Sequence, residues 1–394
     1  MSKIILHIDL NAFFVRCEEL MDPSLEGKPV IIGREGRAGI VSTCSYEARK
    51  YGISSGMPTF KALALCKNAI VIHGHYELYH RKSIEFIKFI KKYSQIVEQV
   101  SVDECFVDMT SVLYRHPNPI GFLEDLQSKL FEETGLKCSI GVAPTKFLAK
   151  MGSDMKKPMG ITIIHRKDAR KMLAPLPIKD FYGIGKKTAP RLEQLGVKTI
   201  GDLAKLIDED NQDIKDTFGK FYNVIKDWIN GYGDDNVNTE PWDPKSLGHS
   251  TTFPHDTTDM DELKDYVRSI SKEISDEVKK ANKVGNGVQL VLKDKNFKVT
   301  NRSKKLSKPT NDFATIYQEA VNLLEKNLGD KVVRLIGVTL QDLVDPRDVT
   351  VQLSIFDNFD EIKEECATKI LINELNRKMN KSVFKTAADE LKEK

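Results

Sequence analysis

Three acidic side chains, those of Asp9, Asp103 and Glu104, lie where they could support phosphoryl transfer. Asp9 ends the apolar run of residues 4–8, and Asp103 and Glu104 lie at the tip of a predicted hairpin. If these strands are neighbours in one sheet, their ends bring the three carboxylates together. Divalent ions such as Mg²⁺ bind oxygen ligands and keep positions open for phosphate, so the cluster suits two-metal catalysis. Taken singly, Asp9 could cap the following helix and Asp103 could be a turn residue.

A second group of side chains could bind the phosphates of a substrate. Tyr46 and Arg49 lie three residues apart in a predicted helix and therefore share one face. The guanidinium of Arg49 can grip phosphate oxygens through its fork, while Tyr46 can donate one hydrogen bond. Thr43 could add a hydroxyl and Lys157 a positive charge. An amphipathic surface helix is the alternative explanation for Tyr46 and Arg49.

The elements that must position these groups form an α+β pattern. We predict strands at residues 3–9, 29–33, 39–43, 96–100, 104–109, 137–142 and 160–164, and helices at 11–21, 45–51, 59–67, 75–93, 121–134 and 145–155. From residue 175 to about 233 the pattern is helical with glycine turns, and residues 234–247 lack periodicity, which is typical of a tether. Residues 248–343 predict the order strand, helix, strand, strand, helix, strand.

Two features suggest contacts with a phosphate backbone. Between Lys283 and Lys308 the chain carries eight basic residues and one acid, alternating with apolar residues, although its net charge is only +3. The run Gly183-Ile184-Gly185-Lys186-Lys187, followed by residues 195–203, predicts a helix-hairpin-helix whose backbone N–H groups face a phosphate. A solvated charged face and a generic helical turn are the respective alternatives.

Length and composition bound the class of protein. A chain of 394 residues predicts several domains, and 40% hydrophobic with 30% charged residues is typical of folded protein. No apolar run is long enough for a membrane span, and we expect no signal peptide. The 6 cysteines lack a CxxC pair, which argues against structural zinc or a disulfide framework and favours a cytoplasmic location.

Four ordered motifs carry a resemblance to a known family. They are His7-Ile8-Asp9-Leu10-Asn11-Ala12-Phe13-Phe14, Tyr46-Glu47-Ala48-Arg49, Ser101-Val102-Asp103-Glu104 and Lys156-Lys157-Pro158-Met159-Gly160. The sequence resembles the Y-family DNA polymerases over about residues 3–356, in particular their bacterial DNA polymerase IV branch. The family's acid two residues after the first metal ligand is replaced here by Asn11, which removes no expected ligand.

The resemblance implies an α+β multidomain fold, a right-hand polymerase. It divides the chain into a palm (3–11 and 76–165), small fingers (12–75), a helical thumb with the helix-hairpin-helix (166–233), a linker (234–247), an α+β little finger (248–343) and a tail (344–394). The implied activity is low-fidelity, template-directed translesion synthesis without proofreading, which adds deoxynucleoside triphosphates to primer-template DNA.

The resemblance also implies a role for individual residues. Two Mg²⁺ ions per active site would be held by Asp9, Asp103, Glu104 and the carbonyl of Leu10. The implied nucleotide contacts are Phe13, Phe14, Thr43, Tyr46, Arg49 and Lys157, and a roof over the template base consists of Ile40, Ser42 and Gly56. Phe14 would be a steric gate that excludes a 2′-hydroxyl, with core packing as its alternative.

Contacts with DNA and with a partner protein follow from the same resemblance. The implied DNA contacts are Gly183, Gly185, Lys186, Lys293, Lys295, Lys298, Arg302, Lys304 and Lys305. Residues 352–356 match the peptide by which bacterial polymerases dock on the sliding clamp, the β subunit, through Gln352, Leu353, Ile355 and Phe356. Because 38 residues follow this peptide, it must be reachable beside a helical tail. We expect the polymerase to be a monomer.

Two other classes of protein remain open from the residues. A palm with adjacent carboxylates also serves nucleotide cyclases, but the hairpin, basic sheet and clamp peptide would then have no function. A clamp-recruited DNA-binding factor without catalysis is the other alternative, and the presence of all three acids with Arg49 and Lys157 argues against it.

Overall fold

The computed structural model describes residues 2–349 together with residues 368, 371, 372, 375 and 384. The chain forms two units, Met1–Pro241 and Trp242–Lys394. In the described part of the chain, no helix is long and apolar enough to cross a membrane.

The first unit contains eight strands and twelve α-helices among the described residues. Its strands are β1 (Ile5–Leu10), β2 (Val30–Gly33), β3 (Val41–Cys44), β4 (Ile70–Ile72), β5 (Val97–Gln99), β6 (Glu104–Asp108), β7 (Cys138–Ala143) and β8 (Ile161–Ile163). Its helices are α1 (Phe13–Met21), α2 (Tyr46–Arg49), α3 (Thr59–Leu65), α4 (Tyr76–Ile90), α5 (Thr110–Leu113), α6 (Pro119–Thr134), α7 (Lys146–Met155), α8 (Ala169–Leu173), α9 (Thr188–Gln194), α10 (Ile200–Asp208), α11 (Gln212–Phe218) and α12 (Tyr222–Ile229).

The larger sheet of this unit has the strand order β5-β6-β1-β7-β8, with β1 at its centre and antiparallel to both neighbours. Successive side chains of a strand point to opposite faces. Leu6 and Ile8 therefore pack in the core formed with α4 and α6, whereas Ile5 packs in a second core with Leu148 of α7. Asp9 lies four residues after Ile5 on β1, so its side chain is on the same face as that of Ile5 and faces α7.

A smaller sheet has the order β3-β2-β4. Strand β2 is antiparallel to β3 and parallel to β4, and Ile31, Val41 and Ala48 form a small core with α3. Strand β4 is not predicted by the sequence, because three apolar residues beside a turn give too short a pattern to distinguish a strand. The predicted strands 29–33 and 39–43 and helices 45–51 and 59–67 are confirmed as shorter elements, and the second strand ends one residue later than predicted, at Cys44.

Residues 175–233 are largely helical, as the pattern predicts. Gly183 has a φ of 94°, which only glycine adopts easily, and the chain then turns into α9, where the carbonyl of Gly185 accepts hydrogen bonds from Thr188 and Ala189. Helix α10 begins with a capping box between Thr199 and Asp202. The predicted helical hairpin is therefore present as two short helices joined by a tight loop.

The predicted tether of residues 234–247 differs from the structure at both ends. Lys146 pairs with Asp234 at 2.7 Å, and the backbone N–H of Asn238 donates to Glu98 at 2.8 Å. Val237 is buried in the second core. The polar residues that give this segment its loop-like composition thus fix its first part to the first unit, and a strand already begins at Ser246.

The second unit has the predicted order of elements. They are β9 (Ser246–Thr257), α13 (Met260–Lys280), β10 (Val284–Asp294), β11 (Val299–Thr310), α14 (Phe313–Asn327) and β12 (Val333–Val344). The antiparallel sheet has the order β11-β10-β12-β9, and both helices pack on its apolar face. The alternation of apolar and polar residues in β10 is regular, which is why the pattern alone predicted this unit.

Candidate active site

The central carboxylates come together because of strand register. In the antiparallel pair of β1 and β6, Asp9 lies opposite Glu104. His7 lies on the same face of β1, two residues before Asp9, and the possible ligand atoms of His7, Asp9 and Glu104 all lie within 4.8 Å of one another. Two of the three predicted acids therefore form a cluster with a histidine that the sequence analysis did not propose.

Asp103 lies beside this cluster at the hairpin corner. Its carbonyl oxygen accepts a hydrogen bond from the backbone N–H of Leu10 at 2.9 Å, which joins the corner to the end of β1. Its carboxylate accepts a hydrogen bond from the hydroxyl of Ser101 at 2.6 Å. Burial raises the pKa of Asp103, and the nearby charges of Asp9 and Glu104 add to this effect. Among the described residues, Asp103 is not part of the group gathered within 4.8 Å.

Two lysines neutralise the carboxylates. The Nζ of Lys150 lies 3.2 Å from Asp9 and 2.9 Å from Glu104. The Nζ of Lys157 lies 2.7 Å from Asp9, and both lysines also pair with Asp154, at 3.5 Å and 2.8 Å respectively. The donor set therefore fits a divalent ion, because two positive groups already lie against the two carboxylate oxygens of Asp9 and one of them also reaches Glu104.

Hydrogen bonding keeps Glu104 ionised. The bond from His7 is the largest effect, and together with Lys150 it outweighs burial and lowers the pKa of Glu104 to about 2. His7 is only 1% exposed, and its Nδ1 lies 2.8 Å from the hydroxyl of Ser153. Burial lowers the pKa of His7. The arrangement presents anionic oxygen atoms to a cation without requiring Glu104 to lose a proton at neutral pH.

The predicted phosphate-binding pair shares a face of α2. The Cζ of Arg49 lies 4.7 Å from the ring centroid of Tyr46, and its Nε donates to the carbonyl of Cys44 at 3.3 Å. Ser45 caps the helix by accepting from the N–H of Ala48. Burial raises the pKa of Tyr46, and the charges of Lys157 and Asp9 also act on its hydroxyl. Thr43 lies on β3, two residues before this cap.

The two adjacent phenylalanines of α1 have different environments. Phe13 is 3% exposed and packs in the larger core, so only its backbone is available to a ligand. Phe14 is half-buried, and its ring stacks on that of Tyr79 with centroids 4.3 Å apart and planes at 11°. Ala12 precedes them with a φ of 46°, which turns the chain from β1 into α1. The ring of Phe13 therefore belongs to the core, whereas the ring of Phe14 is partly exposed.

The three residues predicted for the roof lie around β3. Ile40 is 46% exposed and forms a bridge with Pro58, and the backbone N–H of Gly56 donates to the carbonyl of Val41 at 2.8 Å. The hydroxyl of Ser42 lies 3.5 Å from that of Tyr76. Gly56 has a φ of 82°. The structure therefore brings the predicted roof residues together.

The predicted basic face is divided by the pleat of β11. Lys305 pairs with Gly287 in register, on the open face of the sheet, whereas Lys304 pairs with the buried Val288. Lys304 also forms an ion pair with Glu319 of α14 at 2.6 Å. The predicted basic stretch therefore does not lie on a single face of the sheet, because neighbouring residues of a strand point to opposite sides.

The remaining predicted DNA contacts lie in β10 and β11, in the turn between these strands, and beside the helical hairpin. Lys293 lies at the end of β10 on the open face, Arg302 lies in β11 opposite the buried Leu290, and Lys295 and Lys298 lie in the turn between the two strands. Lys186 is exposed beside the helical hairpin. The clamp peptide at 352–356 lies outside the described residues.

Comparisons with known proteins agree with this geometry. Residues 8–154 match the model of the impB/mucB/samB family, residues 166–197 its HHH motif and residues 244–355 its C-terminal domain. The fold is therefore that of a Y-family DNA polymerase. A Y-family polymerase chimera, Dbh-Dpo4(243-245)-Dbh, is 26% identical at a TM-score of 0.78, covering 86% of this chain and 99% of the chimera.

Bacterial relatives define the branch. DNA polymerase IV of Bacillus velezensis is 37% identical over 390 residues, which is 98% of this chain and 93% of the relative. DNA polymerase IV 1 of Bacillus subtilis is 35% identical over 400 residues, which is 100% of this chain and 94% of the relative. The chain belongs to the Y family as a translesion DNA polymerase of the bacterial DNA polymerase IV type.

This membership settles the alternatives left open by the sequence. The chain is a DNA-directed DNA polymerase that depends on divalent metal and acts on DNA and deoxynucleoside triphosphates, and the comparisons do not favour a nucleotide cyclase or an inactive DNA-binding factor. The prediction of a right-hand α+β fold with a helix-hairpin-helix is confirmed.

Proposed function

We propose that Asp9, Asp103, Glu104 and the carbonyl of Leu10 hold two Mg²⁺ ions, as the active site of translesion synthesis. The register that sets Asp9 opposite Glu104, with Lys150 and Lys157 on their oxygens, supports this proposal most directly. Bound divalent ions would increase the acidity of the primer 3′-hydroxyl and balance the charge of the triphosphate.

The side chains around the cluster would orient the incoming nucleotide. Arg49 and Lys157 would hold phosphate oxygens, with Tyr46 and Thr43 donating hydrogen bonds, and Phe14 would lie against the sugar. Arg49 lies against Tyr46 and its Nε is anchored to a carbonyl, so its guanidinium is already oriented before a ligand binds. The backbone of Phe13 would contribute in the same region, below the roof of Ile40, Ser42 and Gly56.

The domain roles follow from the same proposal. The β5-β6-β1-β7-β8 sheet with its helices would be the palm, the β3-β2-β4 sheet the fingers, residues 166–233 the thumb and residues 248–343 the little finger. Gly183, Gly185 and Lys186 of the thumb would bind DNA phosphates. In the little finger, Lys293, Lys295, Lys298 and Lys305 would do so, and Arg302 and Lys304 would contribute from the edge of the other face. We further propose a cytoplasmic monomer.

Metal removal tests the proposed use of Mg²⁺. Extension of a labelled primer is expected to stop when EDTA removes divalent ions and to resume on addition of excess Mg²⁺, because the clustered carboxylates need a divalent partner to bind triphosphate. A reaction with triphosphate but without DNA is the control and should release no pyrophosphate. Extension that continues in EDTA would contradict the proposed metal site.

The clamp peptide gives a prediction about recruitment. Replacing Leu353 and Phe356 by Ala removes two apolar anchors, each worth on the order of 2 kcal/mol in an interface. We expect the double variant to extend short primers normally alone but to lose the stimulation and long products that an added β clamp gives the parent.

The matched control for this prediction is Ser354→Ala, which lies between the anchors and should keep the response to the clamp. Products are measured on a long primed template with and without clamp. Equal stimulation of the double variant and the parent would exclude docking through residues 352–356. A lower melting temperature of the double variant would instead indicate that the anchors are buried in their own chain.

A further inference from the structure

We propose that Glu18 is a positioning residue for sugar selection, which it controls by fixing the ring of Tyr79 beneath Phe14. This inference rests on the proposed role of Phe14 as steric gate. Glu18 lies too deep to meet a nucleotide itself, because it is 2% exposed. Its influence would pass through one hydrogen bond to Tyr79 and one ring stack on Phe14.

The three side chains are joined by the geometry of two helices. Phe14 and Glu18 lie one turn apart on α1 and therefore share a face. Tyr79 of α4 lies across from both, with its ring stacked on Phe14 and its hydroxyl donating a hydrogen bond to Glu18 Oε1. The ring of Tyr79 is therefore stacked on one residue of α1, Phe14, and its hydroxyl is bonded to another, Glu18.

The buried carboxylate of Glu18 is held by more than one donor. The backbone N–H of His75 lies 3.2 Å from Oε1, and the Nδ1 of His75 lies 3.0 Å from both carboxylate oxygens. A buried carboxylate is costly unless it is hydrogen-bonded, so these contacts fix its position. If the ring of Tyr79 moved, the fixed carboxylate of Glu18 could not move with it, and the hydrogen bond between them would be lost.

Gly74 provides independent support, because it makes room for this phenol. A Cβ atom at residue 74 would lie 3.0 Å from the hydroxyl oxygen of Tyr79 and 3.1 Å from its Cε2. Each of these distances is shorter than an ordinary van der Waals contact, and Ile32 Cγ2 would lie equally close at 3.0 Å, so a larger residue would press on both the ring of Tyr79 and the side chain of Ile32. The start of α4 is therefore shaped around the position of Tyr79 that reaches Glu18.

The position of Tyr79 matters because a steric gate excludes a 2′-hydroxyl only if the gate side chain cannot move away from it. Phe14 is half-buried, and Tyr76 touches it edge-on with ring centroids 5.9 Å apart at 80°. If Tyr79 could tilt, Phe14 could retreat from a 2′-hydroxyl and a ribonucleotide would fit. The hydrogen bond to Glu18 opposes that tilt, so its loss is expected to relax discrimination between the two sugars.

The test compares kcat/KM for a deoxynucleotide with that for the matching ribonucleotide in purified full-length variants. Tyr79→Phe and Glu18→Ala each remove the hydrogen bond and are expected to lower the ratio of the two values about tenfold. Glu18→Gln keeps an oxygen that can accept from Tyr79, so its ratio should stay within about twofold of the parent. Glu19→Gln, on the same helix, is the matched control and should leave the ratio unchanged.

Phe14→Ala separates this inference from the proposal on which it rests. If Phe14→Ala loses discrimination, the gate stands, and Tyr79→Phe should then cause no further loss in the Phe14→Ala background because both act through one ring. An unchanged ratio in Tyr79→Phe, with or without a lower melting temperature, would overturn the inference and leave the gate intact. An unchanged ratio in Phe14→Ala would overturn the gate itself.

Discussion

Asp103→Asn and Glu104→Gln are each expected to lower the rate of primer extension by about a thousandfold or more while DNA binding stays nearly unchanged. Asn at position 103 can still accept the hydrogen bond from Ser101, and the backbone contact of Asp103 with Leu10 does not involve the side chain. The fold of the corner should therefore survive. The lost quantity is negative charge beside Asp9, which would hold the metal ions that in turn bind the triphosphate.

The measurement is single-turnover extension of a labelled primer, with DNA affinity followed separately by fluorescence anisotropy. Asp108→Asn is the matched control, because Asp108 lies on the same strand as Glu104 but its carboxylate accepts hydrogen bonds from Thr110. It should extend primers at close to the parental rate. Substantial extension by Asp103→Asn at physiological Mg²⁺ would contradict the assignment of the acids.

The sequence predicted the acids of this site better than their partners. Asp9 and Glu104 are recognisable because Asp9 follows the apolar residues of β1 and Glu104 precedes those of β6, which is a local pattern. Lys150 lies 141 residues from Asp9 in the chain, and its contact exists only because α7 packs across β1. His7 could have been found from the two-residue period of β1, since it shares a face with Asp9.

The difference between local sequence patterns and contacts distant in the chain also explains which parts of the fold could be predicted. The order of elements in residues 248–343 was predicted because the apolar residues recur at strand and helix periods, whereas β4 consists of three residues and was missed. The division of the basic stretch needed the register of β11, which fixes Lys304 beside Glu319 and Lys305 on the open face. The sequence gives the charge of each segment, but only the register of the strands decides which face of the sheet carries each charged side chain.

Phe14→Ala is expected to lower discrimination against ribonucleotides by about a hundredfold or more. The side chain lies five residues after Asp9, on the first turn of a helix that begins directly behind the acid cluster. Its ring is supported by Tyr79 on one face and Tyr76 at one edge, so a 2′-hydroxyl would meet a ring with little freedom to move. Removing the ring opens that space and leaves the metal-binding acids unchanged.

Discrimination is measured as the ratio of kcat/KM for a deoxynucleotide to that for its ribonucleotide. Phe122→Ala is the matched control, because Phe122 is also half-buried and packs edge-on against Tyr93, but on α6. Both variants should lose stability, whereas only Phe14→Ala should change the ratio. An equal, small change of the ratio in both would show that Phe14 is a packing residue, because lost packing affects both sugars alike and lost exclusion affects only the ribonucleotide.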